Sequence, residues 1–377
     1  MKITGLITEY NPFHFGHEYH LKKARELTGA DAVIAVMSGD FTQRGLPAFT
    51  DKYARAKMAL KSGVDAVIEL PALYSLSSAE GFAKGAVDIL AGLGADTIVY
   101  GCEDETADLK GIADICLNEP AEYKAVLNQQ LKAGASFPAA RLKALTSVYG
   151  DKAECIASPN AILAVEYEKA ILKGGYDIKT IAINRQGDSF YKSGENIRAA
   201  LLGGSEDIKM LLPQASIEEI AYAMEPDDFS GFLNYKLLTI DKEALTKYLD
   251  VTEDIAARIY KHRGKGLSFS ELTKQASSKN YTASRIRRCL MHILLDITSC
   301  DAPIYARVLG ARKDSDVLAE LKSKSSIPFI TKPADAPADI LHAIEQNNKA
   351  TLIYNQAVYD KYGIKLSDDF HAGFIAL

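Results

Sequence analysis

Three times in its first hundred residues the chain repeats one punctuation: "GAD" at 29–31, "GVD" at 63–65 and "GAD" at 94–96. Each triplet closes a segment with helical spacing and opens an apolar run: "AVIAVMS" (32–38), "AVIEL" (66–70) and "TIVYG" (97–101). Glycine suits the left-handed residue just past a helix end. Continuous apolar runs rich in β-branched side chains predict strands buried on both faces. Strand–helix alternation of this kind is the βαβ signature, and its crossovers are right-handed. With the opening run from Ile3 to Ile7, residues 1–101 are expected to form four parallel strands of a doubly wound α/β sheet. One more strand is expected over "DIKTIAIN" (177–184), with helices over most of 104–172 and over Glu195 to Leu202. Beyond about residue 203 the alternation stops. The expected organisation is an α/β domain over 1–202 and a mostly helical region over 203–377.

A length of 377 residues suits two such units. The net charge of −5 gives no global basic field, so any nucleic-acid contact must come from a local patch. Five cysteines without a CxxC pair exclude a disulfide framework and a cysteine zinc site, and suit a reducing cytosol. No apolar stretch approaches the ~20 residues of a membrane span, so a cytoplasmic protein without a membrane partner is expected.

Between the first apolar run and the first helical segment lies "TEYNPFHFGHEYH" (8–20), which places His14, His17 and His20 around Gly16. In an open α/β sheet, ligands sit beyond the carboxyl ends of the strands, near the point where strand order reverses. A helix starting near Gly16 would aim backbone N–H groups at an anion bound there. Imidazole N–H groups can donate to phosphate oxygens. The rival reading is a metal site, with His17 and His20 spaced i, i+3 and Glu9 or Glu18 assisting. The HExxH arrangement is absent, which favours the phosphate cradle and leaves no metal expected. His20 itself is expected to be a packed or surface histidine.

"HFGH" after a first strand resembles the HxGH signature of nucleotidyltransferases and class I tRNA synthetases. The surroundings are more specific: "GLITEYNPFHFGHEYHL", "VMSGDFTQRGLPAFTDKYARAKMAL" (36–60), "GVDAVIELP" (63–71), "SAEGFAKGAV" (78–87), "ASPNAILAVEYEKAI" (157–171) and "YARVLG" (305–310). Together they resemble the bacterial tRNA(Met) cytidine acetate ligase family over nearly the whole chain. That family activates acetate with ATP and acetylates the wobble cytidine of elongator tRNA(Met).

The resemblance implies an HxGH nucleotidyltransferase-like catalytic domain over 1–202 and a tRNA-binding region over 203–377, with ATP as substrate and Mg²⁺ accompanying it. It implies catalytic roles for His14 and His17. The ATP site would run through Ile7, Thr8, Glu9, Tyr10, Asn11, Pro12, Phe13, His14, Phe15, Gly16, His17, Glu18, Tyr19 and His20, and add Gly101, Asn160 and Arg185. The superfamily's second phosphate motif corresponds to "YKSGENIR" (191–198), with Lys192, Ser193 and Arg198; Gly194, Glu195 and Asn196 depart from its hydroxyl-rich pattern. Asp40, Gln43 and Arg44 follow the second strand and are expected to face the same crevice, Asp40 as a further phosphate contact.

From Lys261 to Arg288 the bases Lys261, Arg263, Lys265, Lys274, Lys279, Arg285, Arg287 and Arg288 face a single acid, Glu271. Such a local basic face is the footprint of a nucleic-acid backbone. "YTASRIRRCLMHILLDIT" (281–298) predicts a helix with Ile286, Leu290, Ile293 and Ile297 inward and Arg285, Arg288 and His292 on another face. Lys261, Arg263, Lys265, Lys279, Arg285 and Arg288 are the expected tRNA contacts. The expected partners are therefore elongator tRNA(Met) and acetate. Rival functions are a small-molecule adenylyl- or cytidylyltransferase, a non-catalytic nucleotide-sensing RNA-binding module and a histidine-ligated metallohydrolase.

Overall fold

A computed structural model describes residues 1–184, 194–204, 208–299 and 302–377. The apolar runs form strands as expected: β1 (Ile3–Thr8), β2 (Ala32–Ser38), then a short hairpin of β3 (Phe41–Thr42) and β4 (Leu46–Pro47), then β5 (Ala66–Leu70) and β6 (Thr97–Cys102). β7 (Lys179–Asn184) follows a helical insertion. β8 (Ala306–Ala311), β9 (Phe329–Ile330) and β10 (Ile375–Ala376) come from the last third of the chain. The main sheet runs β10-β8-β5-β2-β1-β6-β7, with β9 beside β8.

β1 pairs in parallel with β2, from Ile3 opposite Ala32 to Thr8 opposite Met37. On its other side it pairs in parallel with β6, Thr4 opposite Thr97. The chain thus builds outward from β1 through β2 to β5, then returns to add β6 and β7 on the far side. Strand order reverses between β1 and β6, which is where such a sheet opens a ligand crevice.

The sheet is mixed rather than purely parallel. β8 runs antiparallel to β5, Ala66 opposite Ala311, and β10 runs parallel to β8. The boundary expected at residue 202 therefore does not bound the sheet. β5 is buried along its whole length and would otherwise expose a row of unpaired backbone groups. Apart from these short strands, residues 203–377 are mostly helical as expected.

Helices cover both faces. α1 (Phe15–Thr28) and α2 (Lys52–Lys61) lie on one side, packing Leu21, Ala24, Met58 and Leu60 against Leu6, Val33 and Val67. The helices Ala79–Gly92 and Pro159–Gly174 lie on the other, around Phe82, Leu90 and Val165. α1 ends as the triplet predicts, at Gly29 in the left-handed region (φ 57). The helical remainder has its own core around Phe229, Leu272, Ile286 and Tyr354, which reaches Phe41 in the hairpin and Leu76.

Candidate functional site

β1 ends at Thr8, and the chain turns through Tyr10 (φ 44) into α1 with His14 as its N-cap. His14 Nδ1 accepts from the Gly16 N–H at 3.1 Å, and His17 Nδ1 accepts from the His14 N–H at 3.3 Å. This reciprocal box fixes both rings to the first turn of the helix. A ring nitrogen that accepts carries no proton, so in each neutral imidazole the proton sits on Nε2. The rings stack at 3.7 Å with planes 22° apart. Tyr10 and Phe13 hold His17 from the side, at 5.0 and 5.6 Å. The corner is thus a pair of oriented Nε2–H donors at a helix N-terminus, placed where strand order reverses.

Other predicted residues assemble around it. A Cβ built on Gly194, which opens the helix Gly194–Leu202, would lie 3.9 Å from His14 Nε2 and 3.4 Å from Arg198 Nη1. Arg198 Nη1 donates to the Asn11 carbonyl at 2.8 Å. Burial works against the charge on Arg198, while Glu9 and Glu195 support it. Glu9 Oε1 accepts from the Gln43 N–H at 2.8 Å, and Asn11 Oδ1 from the Phe49 N–H at 2.6 Å. Gly101 lies half-buried near the end of β6, beside Ile183 of β7. Asn160 Nδ2 donates to Glu103 Oε1 at 2.5 Å, and Ser158 Oγ donates to the same carboxylate. In the rest of the stretch from Ile7 to His20, Thr8 and Pro12 are buried, Ile7, Phe15, Gly16 and Tyr19 half-buried, and Glu18 exposed. His20 packs as expected, its Nε2 3.2 Å from the Val99 carbonyl of β6.

Several expected positions lie elsewhere. Asp40 is turned into the interior, where Oδ2 accepts from Thr351 Oγ1 at 2.9 Å and sits 3.6 Å from Lys52 Nζ. His292 does not join an exposed face. It is fully buried, with Nδ1 and Nε2 at 2.7 and 3.0 Å from the Leu249 and Leu76 carbonyls, and burial lowers its pKa. The final turn of the helix Ala283–Leu295 is buried all round, so a one-sided reading of its periodicity misplaces this residue. Arg288 is half-buried beside Asp250 rather than splayed into solvent. Lys261, Arg263, Lys265 and Lys279 are exposed, and Arg285 is half-buried 5.3 Å from the centre of the Tyr281 ring. Arg185, Lys192 and Ser193 lie outside the described residues. Among the described residues no group of three His, Cys, Asp or Glu side chains is placed to hold a metal ion, and no helix is long and apolar enough to cross a membrane.

Arg55 is a structural residue that the sequence reading missed. It is fully buried, and its guanidinium donates to the carbonyls of Thr50 at 3.0 Å, Glu9 at 2.7 Å, Ser38 at 2.9 Å and Gly39. It ties together the chain just beyond the carboxyl ends of β1 and β2, behind the histidine corner. The signal was present: Lys52, Arg55, Ala56 and Ala59 fall at i, i+3, i+4 and i+7, so two charges occupy the inward face of α2. Charges on such a face need dedicated partners.

A nucleotidyltransferase-type sheet with an HxGH corner defines the class, and the comparisons agree. A family model described as HIGH Nucleotidyl Transferase matches residues 1–368. The chain is 39% identical over 399 aligned positions to the tRNA(Met) cytidine acetate ligase of Caldanaerobacter subterraneus subsp. tengcongensis, covering 98% of this chain and 99% of that one. It is 40% identical over 385 positions to the protein of the same name from a Thermoanaerobacter species, covering 95% and 96%. The crystal structure of Thermotoga maritima TmcAL bound with alpha-thio ATP matches with a TM-score of 0.93 and 31% identity, over 100% of both chains. The chain belongs to the tRNA(Met) cytidine acetate ligase family.

Proposed function

We propose that the protein is an ATP-dependent acetate ligase that forms acetyl-adenylate in the histidine crevice and acetylates the wobble cytidine of elongator tRNA(Met) in the cytoplasm. The observation that carries this reading is the paired lock on His14 and His17. Each Nδ1 is held by a backbone N–H, so each neutral ring carries its proton on Nε2, at a helix N-terminus. Such preorganised donors favour the charge that builds on phosphate oxygens as pyrophosphate departs.

An acetate oxygen attacks the α-phosphorus, and the bond to pyrophosphate breaks. The cytidine amine then attacks the acetyl carbonyl, AMP leaves with the bonding electrons, and the amine loses a proton. ATP lies along Ile7 to His20, with Gly101 and Asn160 on the β6 side and Arg198 near the phosphates, and Arg185 is a further ATP contact. One carboxylate fits Mg²⁺ carried in by the nucleotide: Glu9, just beyond the end of β1, as suits an ion that keeps most of its waters. Glu9 would hold it, and it would neutralise charge on the departing pyrophosphate. Residues 1–202 supply most of this site. From 203–377, the exposed Lys261, Arg263, Lys265 and Lys279 and the half-buried Arg285 and Arg288 contact tRNA.

The test is isotope exchange between pyrophosphate and ATP. Exchange should require acetate, and addition of elongator tRNA(Met) should yield acetylcytidine. Exchange that instead requires a phosphorylated metabolite would make the protein a small-molecule nucleotidyltransferase. ATP binding without any exchange would make it a sensing module.

A further inference from the structure

The turn of the β3–β4 hairpin touches three separate parts of the molecule. The Gln43 N–H reaches Glu9 Oε1 beyond β1 at 2.8 Å. Arg44 Nη1 lies 3.8 Å from Glu195 Oε2, on the helix that faces His14. Arg287 Nε, on the basic helix Ala283–Leu295, donates to the Arg44 carbonyl at 3.1 Å. Gly45 (φ 71) is pressed against that helix so closely that a Cβ there would sit 2.5 Å from the Arg288 backbone nitrogen. The hairpin turn is therefore wedged between the basic helix and the nucleotide corner, and it fixes their relative position.

The charge at this wedge is lopsided. Arg44, Arg198 and Arg287 converge on it, against Glu9 and Glu195 as the facing carboxylates, while the neighbouring Arg288 has Asp250 beside it. Glu9 already receives the Gln43 N–H, and the Glu195 side chain is 76% exposed with only a loose approach to Arg44. Arg287 gives its Nε to a carbonyl and its Nη2 to Ser284 Oγ at 3.0 Å, neither of them a carboxylate. Among the described residues the Arg44 guanidinium donates no hydrogen bond, and its side chain is 55% exposed. Guanidinium groups held together with so little carboxylate to balance them favour an anion between them.

We propose that Arg44 and Arg287 form a phosphate clamp at the mouth of the crevice, which grips the RNA backbone beside the nucleotide whose amine is acylated. This rests on the ligase reading of the site. Two sources could supply a phosphate here, the RNA backbone and ATP. Arg198, bonded to the Asn11 carbonyl, is the arginine turned toward the histidines. Arg44 and Arg287 lie on the outer side, in line with the basic helix, where a polymer can pass. A single-stranded loop that sends one base inward leaves its backbone along such a rim.

The experiment compares full-length protein with Arg44→Ala, Arg287→Ala and the double variant, using elongator tRNA(Met), ATP and acetate. tRNA affinity is measured by filter binding without ATP across a salt series, and acetate-dependent pyrophosphate exchange is measured in parallel. The double variant should lose about tenfold in tRNA affinity, and its salt slope should fall by about 2, one for each lost phosphate contact. The ratio of acetyl transfer to exchange should fall by a similar factor. Arg44→Lys with Arg287→Lys should restore the salt slope, which separates lost charge from damaged folding. Unchanged tRNA affinity and slope would overturn the clamp. A fall in exchange that matches the fall in transfer would assign the phosphate to ATP and also overturn it. Should the wild-type protein show no acetate-dependent exchange, the ligase reading fails, while filter binding still decides whether these arginines hold RNA.

Discussion

Two polar clusters lie near the carboxyl ends of neighbouring strands, and they are built in opposite ways. In the histidine corner beyond β1, each ring is fixed by a backbone group two or three residues away. Below β2 and β5, the fully buried Lys52 is fixed by groups from the two ends of the chain. Its Nζ lies 2.6 Å from Asp369 Oδ1, 2.7 Å from Glu69 Oε1, 2.9 Å from Thr351 Oγ1 and 3.6 Å from Asp40 Oδ2. Local closure occupies one ring nitrogen and so fixes which of the two carries the proton. Long-range closure consumes the donors and sets tertiary structure instead. The contrast explains why Asp40, although it follows a strand end as a ligand residue would, serves the interior. It also leaves one loose end: Glu69 Oε2 is buried with no hydrogen-bond partner among the described residues.

The contrast can be broken most forcefully at Lys52. Lys52→Met leaves three carboxylates facing one another without their cation, and should cost about 3–5 kcal/mol in urea unfolding. Loss of less than 1 kcal/mol would show that the cluster does not hold the fold. His14→Ala should do the reverse. It removes one donor and should cut acetate-dependent exchange by about 10²–10³, while the lost cap costs only about 1 kcal/mol of stability. A variant that unfolds yet exchanges normally when folded would erase the distinction. Arg55→Lys falls between the two clusters. A lysine cannot serve four carbonyls as a guanidinium fork does, so stability should drop by about 1–3 kcal/mol and exchange should weaken along with it.

The smallest expected effect is Glu69→Gln, read as stability against pH. Burial raises the Glu69 carboxyl above its ordinary range even though Lys52 opposes this. A raised folded value contributes stability below the usual carboxylate pKa, and that contribution is lost as pH rises through the folded value. Glutamine mimics the protonated form. Thermal melts of the variant relative to wild type should therefore improve as pH rises through that value, and a constant difference across the range would contradict it.

Much of the sheet was legible because four strands announce themselves locally. β1, β2, β5 and β6 fall on the apolar runs, and β7 falls inside the predicted 177–184. β8 and β10 were not legible. "ARVLGA" is short, and nothing in its local pattern says that it will lie antiparallel to a strand from the first hundred residues. The histidine corner was legible because its chemistry is packed into one continuous stretch. Arg55 and the Lys52 cluster were missed because their partners lie far apart in the chain or are backbone carbonyls, which carry no residue signature.

The antiparallel pairing of β5 with β8 also sets the order in which the protein can mature on the ribosome. β5 leaves the exit tunnel long before β8 is translated, so the nascent chain carries an open, mostly apolar margin for most of its synthesis. Such a margin is a template for joining other chains. That edge of the growing polypeptide stays without its partner strand until residues 306–311 arrive.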